Sequence, residues 1–269
     1  MRSSPARVPA PIRRQLGRLA VGPHMIAAAA WAPASPPIPV GLLIVYRRRN
    51  ASLVRRALAT ARRNQWHVRL WALDQPDAAL AEHTVGSGPG SRLELLNRLH
   101  ESLPPGIVTC VLADDDVLFV SGGLDRLVTV AGLSGFALAQ PAHVVDSNYS
   151  HGLTRFEPFS IARRTTFVEV GPVVVVGESG ASRVFPLPVE YGMGWGLDVE
   201  WSFALEDAVL GIVDAALVRH ITPVAGQYSG TEEWRRVEAA LHRHGVSSLL
   251  EIQQTIATWR VGRRRPPWL

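Results

Sequence analysis

The chain has 269 residues, 47% hydrophobic and 19% charged, which excludes a mainly disordered protein and leaves enough apolar side chains for a sizeable core. Its one cysteine, Cys110, excludes an internal disulfide and a cysteine-built zinc site, and reads as a buried thiol. The net charge of +5 conceals an asymmetry, because residues 1–73 hold 13 arginines and no acid while the rest holds 15 arginines against 23 acids, and there is no lysine.

A basic front half facing an acidic back half suits an anionic ligand held partly by a divalent cation. It equally suits a solvated basic surface, or nonspecific attraction to nucleic acid or anionic lipid. No nucleic-acid-binding motif accompanies the charge, so no specific nucleic-acid partner is expected.

Residues 1–39 are rich in Arg, Ala and Pro and close with PASPPIP, which reads as a leader joined to the folded part by a stiff linker. The run LAVGPHMIAAAAWAPA imitates the apolar part of a signal peptide, but Pro23 and His24 interrupt it and it is too short to span a bilayer. A cytoplasmic location is therefore expected.

From Val40 strands and helices alternate, the pattern of an α/β layered domain. GLLIVY is a buried-strand run, Leu53, Val54, Ala57, Leu58 and Ala61 fall at helical spacing, and HVRLWALD is strand-like, a β-α-β opening. GSGPGSRLELLNRLHESL passes from a glycine-rich loop into a helix. IVTCVLADDD is then a buried strand ending in three carboxylates, at the end where open α/β sheets bind ligands.

Three adjacent acids repel one another unless something positive neutralises them. In extended backbone Asp114 and Asp116 share a side and can ligate one hard ion, Mg²⁺ or Mn²⁺, with Asp115 turned away. The same triplet also suits an acidic loop capping the next helix. Further on, GMGWGLDVEWSFALED places three glycines around Trp195 and leads into a helix carrying Asp198. Trp195 offers a flat face for a sugar ring and Asp198 a general base at the helix start; a core aromatic and a plain N-cap are the structural alternatives. Glu200 points away from Asp198. LGIVDAALVRHITPVAG is a strand with His220 at its far end, where an imidazole can complete a carboxylate metal site. His143 and His151 flank VVDSNYS and are weaker candidates for substrate contact.

In this order ADDDVLF, AQPAHVV, GWGLDVEW and GIVDAALVRHITP resemble the motifs of GT-A-fold glycosyltransferases, and within them the plant-rich family listed as domain of unknown function 707. The resemblance covers roughly residues 40–226. It implies an α/β fold of GT-A type, a mostly parallel sheet flanked by helices, and metal-dependent transfer of a sugar from a UDP- or GDP-sugar to a hydroxyl acceptor. Asp114, Asp116 and His220 match the Mn²⁺ or Mg²⁺ ligands, and Asp198 matches the base of inverting relatives. Tyr46, Asp74, Arg92, Asn97 and Asp115 are implied on the nucleotide-sugar side, and Gln140, Trp195, Gly196 and Glu200 on the acceptor or sugar side. A noncatalytic nucleotide-sugar or carbohydrate binder of the same fold is the alternative.

Residues 227–269 read as a helical extension of one or two amphipathic helices, which can pack on the domain or shape an acceptor site, with a basic tail, RVGRRRPPWL. The aromatic-apolar tip of that tail suits either an exposed end or peripheral contact with an anionic membrane.

Overall fold

The computed structural model describes residues 21–28, 37–223 and 230–269. The strands are β1 (Pro39–Tyr46), β2 (Gln65–Ala72), β3 (Thr84–Ser87), β4 (Cys110–Asp114), β5 (Val117–Ser121), β6 (Leu138–His143), β7 (Ser160–Thr165), β8 (Val173–Val176), β9 (Leu210–His220) and β10 (Thr255–Arg260). The helices are α1 (21–28), α2 (Ala51–Leu58), α3 (Arg92–Glu101), α4 (Gly123–Leu133), α5 (Glu178–Val184), α6 (Leu197–Ala204), α7 (Gly230–Arg243) and α8 (Leu249–Ile252). All strands join one sheet in the order β10-β7-β9-β6-β8-β4-β1-β2-β3, with β5 paired to β9.

The β1-α2-β2 opening forms as the spacing predicts, with β1 parallel to both β2 and β4. Because side chains alternate across a strand, Leu42 and Ile44 of β1 enter a core with α2 and α4, while Leu43 enters a second core with α3 and α6. A central strand covered on both faces must be apolar throughout, which is why GLLIVY carries no charge. The strand β8 is antiparallel to both β4 and β6, and β6 is parallel to β9. The strands β1, β4, β6 and β9 therefore run the same way and end at one edge of the sheet. Cys110 is buried, and burial pushes its thiol up to about 12.

Of the expected leader, residues 1–20 and 29–36 lie outside the described residues, and 21–28 depart from the reading of a detached extension. They form α1, whose Met25 packs against a cluster containing Val144 and Leu217. His24 is fully buried: its Nδ1 accepts from the Phe159 N–H at 3.1 Å and its Nε2 donates to the Asp214 carbonyl at 2.8 Å. The histidine that breaks the signal-like run is thus a docking residue.

Asp214 is also the centre of a buried ion pair. Arg163 reaches it with Nε at 2.9 Å and Nη2 at 3.0 Å, the Glu157 N–H donates to it at 2.9 Å, and Arg163 further donates to the Leu153 and Arg155 carbonyls. Removing one partner leaves a buried charge without compensation. Asp214→Asn is expected to lower stability by about 3–5 kcal/mol in denaturant titration; a loss under about 1 kcal/mol would contradict this account of the node.

The C-terminal segment corrects the helix-only reading. After α7 and α8, residues 255–260 form β10, antiparallel to β7, because TIATWR is rich in β-branched residues and buries Trp259 against the sheet. In the tail Trp268 stacks on Phe136, with centroids 5.7 Å apart, and donates to the Ser134 carbonyl at 3.0 Å, while Leu269 and the arginines before it stay exposed. Among the described residues no helix is long and apolar enough to cross a membrane.

Candidate active site

The carboxyl ends of β1, β4 and β9 open into a cavity of about 800 Å³. The strand β4 brings Asp114 to its rim. The acidic triplet then turns into β5, which runs back along β9 with Val117 opposite His220. This pairing sets Asp116 Oδ1 3.1 Å from His220 Nε2, and the Ile221 N–H donates to the Asp116 carbonyl at 3.0 Å. One ligand atom each from Asp114, Asp116 and His220 lie within 4.8 Å of one another.

Two carboxylates and an imidazole are a donor set that suits Mn²⁺ or Mg²⁺. Burial alone would raise the Asp116 carboxyl, but the hydrogen bond and charge of His220 hold it below the ordinary carboxylate range. Conversely, burial would lower His220, and its bond to Asp116 with the charges of Asp116, Asp114 and Glu169 raises it.

Arg92 opens α3, which Ser91 caps by accepting from the Glu94 N–H at 3.3 Å. From there the buried guanidinium donates through Nε to Asp114 Oδ1 at 2.8 Å. It holds one candidate ligand in place and brings positive charge to the cavity. Asp115 turns from its two neighbours to β1, where it accepts from the Arg47 N–H at 2.7 Å, and burial raises its pKa. Arg47 lines the cavity, the one arginine of the basic front half to do so among the described residues.

Asp198 sits in the first turn of α6, only 6% exposed, and lines the same cavity. The loop before it needs its glycines: Gly196 has φ +87°, and a Cβ there would stand 2.9 Å from the Arg236 carbonyl oxygen of α7. Asp198 Oδ1 accepts from the Val199 N–H at 2.9 Å, and Oδ2 lies 3.6 Å from His151 Nε2. His151 packs edge-on against Phe167, and its Nδ1 lies 2.7 Å from the Gln253 amide nitrogen, which donates to it. That assignment leaves the ring proton of a neutral His151 on Nε2, facing Asp198. Burial lowers the His151 pKa, but Asp198 and the charge of Glu169 outweigh it and raise the value.

Trp195 lines the cavity and meets Trp234 edge to face, with centroids 6.4 Å apart. Six other expected site residues do not line it. Tyr46 is buried, its hydroxyl 3.0 Å from Thr84 Oγ1 and accepting from the Asp77 N–H, because the last residue of β1 points into the core. Asp74 accepts from the Arg48 N–H at 2.8 Å and fixes the turn after β1. Asn97 clamps Leu187, accepting from its N–H at 2.7 Å and donating to its carbonyl at 2.8 Å. Gln140 is fully buried in β6 and accepts the Glu169 N–H at 2.6 Å. Gly196 serves the approach of α7, and Glu200 binds Tyr191 at 2.7 Å and His244 at 2.8 Å and pairs with Arg243, tying α6 to the C-terminal segment.

His143 likewise fails to reach the cavity: it is buried beside Ser147 Oγ at 2.8 Å, and burial pulls its pKa down to about 3. The sequence reading missed Glu169, a buried acid of the cavity wall whose pKa burial raises. It also missed Trp234 and Leu249, contributed by the C-terminal helices. Glu169 lies in TFVEVGP, where a single acid within an apolar stretch leading into VVVV was the available signal.

No protein-family profile matches the chain, and no curated protein does. The resemblance to domain of unknown function 707 therefore stands without such support. Solved structures do match. GalNAc-T7 crystallised with UDP, GalNAc and Mn²⁺ aligns with TM-score 0.55 and 9% identity over 78% of this chain and 48% of that one. S. aureus TarS 1–349 aligns with TM-score 0.51 and 10% identity over 77% of this chain and 71% of that one. The chain thus spans about half the length of the GalNAc-T7 structure. The architecture is that of GT-A-type glycosyltransferases, a largely parallel α/β sheet flanked by helices.

Proposed function

We propose that the protein is a metal-dependent, inverting glycosyltransferase of the hexosyltransferase type, which moves a sugar from a UDP- or GDP-sugar to a hydroxyl acceptor. The observation that carries this reading is that the Asp114–Asp116–His220 cluster and Asp198 line one cavity at the carboxyl edge of a GT-A sheet. The Mn²⁺ that accompanies UDP in the GalNAc-T7 crystal supports the choice of ion and nucleotide.

Asp114, Asp116 and His220 would hold the ion, Mn²⁺ or Mg²⁺, which when bound neutralises charge on the diphosphate leaving group. Arg92 keeps Asp114 oriented and adds fixed positive charge beside it. Asp198, with His151 alongside, takes the proton of the acceptor hydroxyl as its oxygen bonds the anomeric carbon. The bond from that carbon to the diphosphate oxygen breaks, and its electron pair leaves with the oxygen. The products are a glycoside of inverted configuration and a nucleoside diphosphate, with the proton on Asp198 passing to solvent.

Nucleotide-sugar turnover tests the proposal. UDP- and GDP-hexoses are incubated with the full chain and Mn²⁺ or Mg²⁺, and nucleoside diphosphate release is followed. Metal-dependent release is expected with at least one donor. Donor binding without release in the presence of a broad acceptor mixture would favour the noncatalytic binder, and no binding to either nucleotide class would overturn the reading.

A further inference from the structure

The lining of the cavity divides chemically in two. One part carries the ionisable set of Asp114, Asp116, His220, Arg92 and Glu169. The other is apolar: Met193 and Trp195 precede α6, Trp234 and Val237 belong to α7, and Leu249 opens α8. Asp198 stands in the first turn of α6, three residues after Trp195, and both line the cavity, so the base borders the apolar part.

Among the described residues the apolar part offers few hydrogen-bonding groups. Met193, Val237 and Leu249 have no polar hydrogen to give, and the Trp234 indole N–H already donates to Glu238 Oε1 at 3.1 Å. Trp234 nevertheless leaves 45% of its surface exposed. Exposed apolar side chains gathered along one cavity mark a ligand-binding surface.

We propose that this wall is the acceptor subsite, and that its acceptor is a hydroxyl borne on an apolar aromatic or alkyl body. The inference rests on the transferase reading of the same cavity and adds the substrate class. An oligosaccharide brings a hydroxyl on nearly every carbon, and each one desolvated against this wall goes without a partner. Aromatic faces can stack on a sugar ring, yet they leave its edge hydroxyls unsatisfied. An apolar body loses nothing there, displaces water from two tryptophans and presents its single hydroxyl at the seam where Asp198 stands. The transfer is the one already written: the O–H proton goes to Asp198, the acceptor oxygen bonds the anomeric carbon, and the nucleoside diphosphate leaves with the electron pair.

The test uses the full chain with Mn²⁺ and the donor found by the turnover screen, and three acceptors: 4-methylumbelliferone for an aromatic body, 1-octanol for an alkyl body, and lactose. Binding of each acceptor in the presence of UDP is measured by calorimetry, and transfer by nucleoside diphosphate release above donor hydrolysis. At least one apolar acceptor is expected to bind and to raise release tenfold or more, with lactose doing neither. Trp234→Ala, at a half-exposed position, and Leu249→Ser, at a partly buried one that packs on the α6–α7 cluster and is therefore checked for native thermal unfolding, are each expected to raise the KM of the apolar acceptor about tenfold relative to the donor KM. Lactose as the sole acceptor, no binding of either apolar compound, or an unchanged acceptor KM in both variants overturns the inference while leaving the transferase reading intact. Absence of metal-dependent donor binding removes that reading, and this inference with it.

Discussion

Asp198→Asn is expected to lower kcat by about 10²–10⁴-fold, the usual weight of a positioned general base. The substitution keeps the size of the side chain and an oxygen to accept the Val199 N–H, so the first turn of α6 should form as before. What the amide lacks is the ability to take a proton. Donor affinity is expected to change little, because the metal cluster and Arg92 are separate from this residue. A fall in kcat with the donor KM nearly constant marks an interaction made in the transition state. The measurement is steady-state transfer with native and variant chains over a range of donor concentrations; a loss of less than tenfold in kcat would place the base elsewhere, Glu169 being another acid of the cavity lining.

The second large effect is expected at the other end of the reaction. Asp116→Ala removes a candidate ligand that His220 and the Ile221 N–H together hold in place, and it leaves His220 without its partner. Changes in the groups that merely support metal ligands cost about 10–100-fold in affinity or activity, so loss of a ligand itself should exceed that range. Donor binding that needs Mn²⁺ in the native chain is expected to fall by more than about 100-fold in the variant. His220→Ala should behave alike, since the two side chains act as one unit. The comparison is a calorimetric titration of UDP or GDP into each chain with saturating Mn²⁺. Native-like affinity in both variants would separate the nucleotide from the cluster.

The sequence made the centre of the site legible and its surroundings much less so. Asp114, Asp116 and His220 stand at the ends of apolar strands, and strand ends are readable from composition. That two such ends meet depends on β5 turning back along β9 with Val117 opposite His220, a pairing that no motif announces. Asp198 and Trp195 were readable for a similar reason, because a glycine-bracketed loop entering a helix restricts where they can point. The residues carried over by position fared worse. Tyr46 and Gln140 lie on strands, where a single-residue step reverses the side chain, Asp74 lies in a turn and Asn97 within α3, and each one satisfies a neighbouring backbone group instead.

Contributions from afar were hidden for another reason. Trp234 and Leu249 belong to a segment that looks like an appended amphipathic extension, and its return to the cavity depends on α7 packing against α6 over Gly196. The strand β10 closes the same segment onto the sheet edge through six residues whose alternation is short and follows two helices. His24 shows the converse: a histidine that looked like an interruption of an apolar run is buried between α1 and the Arg163–Asp214 node.

Titration of the native chain with UDP and with GDP, first with Mn²⁺ and then after chelation, tests the central claim most directly. The expected result is binding of at least one nucleoside diphosphate in the presence of Mn²⁺, its loss on chelation and its return when Mn²⁺ or Mg²⁺ is restored. Binding of equal strength with and without the ion, or no binding to either nucleotide, would contradict the assignment of Asp114, Asp116 and His220 as the metal site of a nucleotide-sugar enzyme.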